Sequence, residues 1–353
     1  MAYCQVGIRV DLAHRKGIRV ARKRDTLSSR ERVRLALEHR ETDRCPIAMV
    51  CSGINPPARG QLDATLRRER GIDLQSYLDA LLDVRSVGPA YVGPPLAPQE
   101  DLWGVHRTRI ANPAGGWYDE IDVYPLETAS RPSDLDAHRW PSTDWYDYST
   151  LPGRIAAANA PGLGRSPERA ERCLMVSNGN LFETAWYMRG FQRTFEDMVL
   201  NPELFHAIME RVTSFYVEHF QKMLAAAEGQ VDLAFTADDI AGQNGLLMST
   251  AMWETFLKPY HVRLNAAIHE FEVKVIYHTD GGVMEAVDGL IDMRIDVLQA
   301  LQFSAKGMDP ATLKDRFGDR LCFEGGVSVQ TTLPFGTPED VQAEVEGLIT
   351  VLG

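Results

Sequence analysis

The sequence predicts an α/β fold of the TIM type, a (β/α)8 barrel. Three observations carry that expectation. Short apolar runs of strand length alternate with segments of helical spacing, the pattern of βαβ units and a parallel sheet. Several of those runs end in polar or glycine residues, as barrel strands do at the face that holds the chemistry. No GxGxxG fingerprint follows the first run, which argues against a doubly wound dinucleotide fold.

Seven runs read as strands: residues 45–50, 84–87, 173–177, 231–236, 273–277, 297–301 and 321–323. Their polar exits are Ser177-Asn-Gly-Asn180, Asp238-Asp-Ile-Ala-Gly-Gln243, His278-Thr-Asp-Gly-Gly282, Gln302-Phe-Ser304 and Glu324-Gly-Gly326. The helices between them carry end signals. Ser28 and Ser29 can cap a helix reaching about His39. Asn201-Pro202-Glu203 starts another, which Gly229 closes. Thr250 can cap a helix over 251–272 that Pro259 should kink, and Thr337-Pro338 starts the last. An eighth strand would have to follow that helix, so the barrel is expected to lack its last strand–helix unit.

The domain reading is a basic, disordered extension over 1–27 and one barrel domain over 28–353. A loop-rich excursion at 88–167 would cover the active face, with hairpin strands at 103–110 and 117–124. Its aromatics, Trp103, Trp117, Tyr118, Trp140, Trp145 and Tyr146, either form a lid or pin the loop to the body. The net charge of −12 is uneven: residues 1–24 hold seven Lys or Arg and one acidic residue. An acidic body argues against nucleic-acid binding. No apolar run is long enough to span a membrane. Five scattered cysteines without CxxC pairing suggest a reducing, cytoplasmic setting.

The richest stretch is His278-Thr-Asp-Gly-Gly282. Strand residues alternate in direction, so His278 and Asp280 project to one side. Two polar groups at a buried strand end cost free energy unless they are used, although Asp280 can also cap a following helix and His278 can be a satisfied barrel histidine. Asp238 and Asp239 should face opposite ways, one into the barrel mouth and one toward a backbone loop, with Gln243 able to donate to substrate. Glu183 and Tyr187, four apart, share a helix face, and Arg189 can join them in a pocket. Glu324 is a strand-end carboxylate of the same kind as Asp280.

Taken in order, Tyr187-Met-Arg-Gly190, Asp238-Asp-Ile-Ala-Gly-Gln243, Phe256-Leu-Lys-Pro-Tyr260, His278-Thr-Asp-Gly-Gly282 and Phe323-Glu-Gly-Gly-Val327 resemble the uroporphyrinogen decarboxylase superfamily. The resemblance runs from about Ser28 to the C-terminus and implies a (β/α)8 barrel. That superfamily holds porphyrinogen decarboxylases and methyltransferases that work with a corrinoid cofactor, some with zinc. The decarboxylases carry arginines in the first strand, where this chain has Pro46-Ile-Ala-Met-Val-Cys-Ser-Gly-Ile54 with none. The corrinoid methyltransferases carry His-x-Cys where this chain has His278-x-Asp280, a set that zinc also accepts. The resemblance therefore implies methyl transfer from a small O- or N-methylated substrate to a corrinoid protein, with a homodimer as a possible assembly. The alternatives are a decarboxylase without cofactor, or an inactive, truncated barrel that acts as a binding protein. The expected catalytic residues are Asp238, Asp239, His278, Asp280 and Glu324, with His278 and Asp280 as metal ligands. Asp83, Glu183, Tyr187, Arg189, Gln243 and Gln302 are expected to bind substrate; Asp83 resembles the aspartate that gathers pyrrole N–H groups.

Overall fold

The computed structural model describes residues 25–51, 53–112, 116–161 and 170–353. The basic segment 1–24 falls outside these residues. The main sheet has six parallel strands: β1 (Val84–Ser86), β2 (Cys173–Asn180), β3 (Leu233–Ala237), β4 (Lys274–His278), β5 (Val297–Ala300) and β6 (Cys322–Gly325). Their spatial order follows chain order. Each strand therefore joins its neighbour through a single crossover, as in a barrel wall.

The period-2 alternation of the strands sorts their side chains into two cores. Cys173, Met175, Leu233, Phe235, Ala237, Ile276 and Val297 form the inner cluster. Leu174, Val176, Ala234, Val275, Tyr277 and Leu298 face the other way, into the layer packed by the helices. Helix α1 (Ser29–Leu37) adds Val33 and Leu37 to the inner cluster. Ser28 caps it in a capping box with Glu31. The Cys322 thiol at the start of β6 reaches the Ala36 carbonyl, which sets α1 across the N-terminal end of the sheet.

The run at 45–50, expected as a first strand, is extended but joins no sheet. Pro46 has no N–H to give to a ladder. The next donor, Ile47 N–H, goes to the Asp83 carboxylate at 2.9 Å, and the Ile47 carbonyl takes the Asp83 N–H. At Ile47 the stretch is held by one backbone bond and one side-chain bond, both to Asp83, where a strand would have a ladder.

Asn201 and Pro202 do open a helix, α3 (Pro202–Ala227), with Glu228 and Gly229 both left-handed at its end. The expected single helix over 251–272 is two, Thr250–Phe256 and α4 (Lys258–His269). The chain breaks at Leu257, and Pro259 sits in the first turn of α4. The excursion contains the expected hairpin, His106–Ala111 paired with Trp117–Val123. Its aromatics do not form a lid. Trp103 packs on Phe215 and Tyr216 of α3 and on Trp140; Tyr146 packs on His219 of α3; Trp117 and Tyr118 face solvent. The excursion is pinned along α3, and its hairpin sets Arg107 over the Tyr187 ring. No helix among the described residues is long and apolar enough to cross a membrane.

Candidate active site

Strand register builds the site in layers. Ser177, Phe235, Ile276, Val297 and Cys322 are paired across β2 to β6. The next inward-facing layer toward the strand exits is Asn180, Ala237, His278, Gln299 and Glu324. Below it the barrel wall is apolar except at Ser177; at it the wall becomes polar except at Ala237. Asp239 and Asp280 follow on the exits of β3 and β4.

His278 is the hub. Its Nδ1 hydrogen-bonds Gln299 Oε1 across the β4–β5 pair, and its Nε2 lies 3.8 Å from Asp239 Oδ1. The Phe235 ring stacks on the imidazole with centroids 6.0 Å apart. Asp280 donates its backbone N–H to Asp239 at 2.7 Å. One ligand atom each from Asp239, His278 and Asp280 falls within 4.8 Å of the others. Burial, and then the charge of Asp239, raise the Asp280 carboxyl above the ordinary carboxylate range, while His278 pulls it down.

The glycine pair makes room for this arrangement. Gly281 has φ +87°, and a Cβ there would lie 2.7 Å from the Ala241 carbonyl carbon and the Gly242 oxygen. Gln302 holds the same turn from β5 by accepting the Gly281 N–H at 3.0 Å.

Two further carboxyls are raised above their ordinary range. Burial, with Asp238 and Asp239 nearby, pushes Glu183 up to about 8, against hydrogen bonds from Asn180 and Tyr187. Arg107 of the excursion lies over the Tyr187 ring at 5.2 Å. Burial pushes Glu324 up to about 7, against a hydrogen bond from Gln299, and its Oε2 is buried without a partner.

Three of the expected site residues have other work. Asp238 is fully buried, accepts the N–H groups of Phe182 and Glu183 at 2.8 Å each, and pairs with His261 Nε2 at 2.5 Å. It ties the N-terminus of α2 (Leu181–Arg189) to β3 and so positions Glu183 rather than meeting substrate. Arg189 is spent on Asp197 and on the Leu126 and Glu127 carbonyls, so it holds the excursion and does not serve the pocket. Asp83 sits at the foot of β1, at the opposite end of the sheet. It is fully buried and saturated by Ser29, Arg32, Arg44 and the Ile47 N–H. That closes it to substrate. Gln243 is exposed on the loop beside Gly281, and its carbonyl accepts the Lys306 N–H.

Sequence reasoning missed Gln299, Asn180 and His261. Gln299 was legible in principle as a lone polar residue in the apolar run 297–301, two after inward-facing Val297. Asn180 lies past a register shift between Ser177 and Gly179, which hides its direction. His261 follows the Phe256-Leu-Lys-Pro-Tyr260 motif with no signal of its partner.

The family described as Uroporphyrinogen decarboxylase (URO-D) matches residues 171–352, more than half of the chain and every strand of the sheet except β1. The chain belongs to this family. Over 92 residues it is 29% identical to a uroporphyrinogen decarboxylase from Desulfotalea psychrophila, a stretch that spans 26% of this chain and only 25% of that relative. Among solved structures it is similar in fold to a methyltransferase from Methanosarcina mazei, with TM-score 0.58 and 17% identity over 92% of this chain and 90% of that one. The barrel architecture of the family and the six-stranded parallel wall agree.

Proposed function

We propose that the chain is a methyltransferase of this family, taking a methyl group from a small O- or N-methylated compound and passing it to a corrinoid carried by a partner protein. One observation carries the reading: the strand exits present acids and amides and no fixed cation. The segments 177–180, 238–243, 278–282, 299–302 and 324–326 contain no Lys or Arg. A porphyrinogen with many carboxylates needs cationic partners and would be repelled by Asp239 and Asp280. A neutral ether or a methylated amine would not.

The residues present fit a divalent cation. Asp239, His278 and Asp280 offer one nitrogen and two carboxylates in a partly open cluster, a set zinc accepts. Bound there, the ion would supply Lewis acidity toward an oxygen or nitrogen of the substrate. The protein's own contribution is proton supply. Transfer of the methyl group as a cation to the corrinoid leaves an alkoxide or phenoxide that needs a proton, and a neutral amine donor must be protonated before its methyl leaves; Glu183 stays protonated at neutral pH at the N-terminus of α2. We place the chain in the cytoplasm, working with its corrinoid partner and as a homodimer.

The test is to give the purified chain cob(I)alamin and a panel of methylated phenols and amines, and separately uroporphyrinogen. The reading expects methylcobalamin from at least one donor and no carbon dioxide from the porphyrinogen. Carbon dioxide release without methyl transfer would replace it with decarboxylation.

A further inference from the structure

We infer that Gln299 is a positioning residue that fixes the tautomer of His278. The two are neighbours in register on β4 and β5, both facing inward, and Glu324 follows in register on β6. Gln299 is 7% exposed. Its amide has one oxygen and one NH2 group. The oxygen, Oε1, is the atom that meets His278 Nδ1.

An oxygen at Nδ1 can only accept, so the His278 proton resides on Nδ1 and the lone pair on Nε2. That is the nitrogen beside Asp239. An imidazole without such a partner prefers its proton on Nε2, which would blind the atom that faces the strand exits. The stacked Phe235 ring holds the imidazole plane. The device thus presents a lone pair, ready for a cation or a proton, at the one point where β3 and β4 bring their polar residues together.

The inference concerns the candidate site whichever reaction it runs, so failure of the methyl-transfer assay would not touch it. Its test is nitrogen NMR of metal-free protein labelled with 15N-histidine, at a pH above the ordinary histidine range of about 6.5. The His278 signals are assigned from their loss in His278→Gln. The expected spectrum has a protonated Nδ1 and an unprotonated Nε2. In Gln299→Leu the proton should move toward Nε2, whereas Gln299→Glu, which keeps an acceptor oxygen, should retain the wild-type pattern. A wild-type His278 protonated on Nε2 would overturn the inference without any variant. A Gln299→Leu spectrum identical to wild type would overturn it too.

Discussion

The imidazole of His278 and the side-chain amide of Gln299 meet across adjacent strands, Nδ1 to Oε1, and this contact turns a strand end into a site. It directs the other ring nitrogen toward Asp239 and places Glu324 behind it. If Asp239, His278 and Asp280 hold a cation, the support should show in its affinity. Zinc titrated against a competing chelator should bind wild type once per chain, and Gln299→Leu should bind about 10–100-fold more weakly, the usual effect of removing a partner behind a ligating histidine. Equal affinity in the two proteins would sever Gln299 from metal binding.

Glu183 gives a pH dependence with a definite sign. Its carboxyl is raised to about 8 in the folded chain from an ordinary value near 4.5. The folded state thus holds a proton that the unfolded state releases, so this residue favours folding less as pH rises from about 4.5 to about 8, and no further above that. Urea unfolding at pH 5, 6, 7 and 8 should show the fall. Glu183→Gln, which cannot ionise, should show a flatter profile. Parallel profiles would mean that Glu183 is ionised in the folded protein.

At the opposite end, Asp83 neutralises Arg32 and Arg44 where water does not reach. Asp83→Ala would leave the Arg32 guanidinium, 1% exposed, without one of its partners. We expect a loss of about 3–5 kcal/mol in unfolding free energy, the range for breaking a buried pair, and unchanged zinc affinity in the protein that remains folded. Weakened zinc binding in that variant would place Asp83 in the site after all.

Gly281→Ala separates space from chemistry. The new methyl would meet the backbone of Ala241 and Gly242 at 2.7 Å in a left-handed turn. A cost of about 1–3 kcal/mol is expected for the backbone alone, with weaker zinc binding because Asp280 precedes the turn. Stability equal to wild type would show that the loop at 241–242 yields without cost.

Much of this was written in the strands. The alternation of apolar runs with helices, and the parity that sets His278 and Asp280 on one side, follow from residue spacing alone. What spacing does not encode is who meets whom across the barrel. Asp238 and Asp239 differ by one position, and only the N-terminus of α2 arriving from β2 decides that the first is a buried anchor. Asp83 read as a pocket residue because it resembles the aspartate that gathers pyrrole N–H groups; the arginines that claim it lie 51 and 39 residues away. The run at 45–50 has the composition of a strand, but a buried carboxylate outcompetes the ladder for the Ile47 N–H. Arg189 read as a pocket cation because it follows Glu183 and Tyr187 on one helix, and Asp197 took it.

The most direct test follows a 13C-labelled methyl group. A methylated phenol or amine that proves a donor is mixed with cob(I)alamin and wild-type protein, His278→Ala or Gln342→Ala, the last on the exposed face of the helix Pro338–Leu352. The account predicts labelled methylcobalamin with wild type and with Gln342→Ala, and at least a 100-fold slower appearance with His278→Ala, as expected when a general acid–base or ligating group is removed. Transfer at the wild-type rate by His278→Ala would contradict the claim that the chemistry sits where β3, β4 and β5 meet.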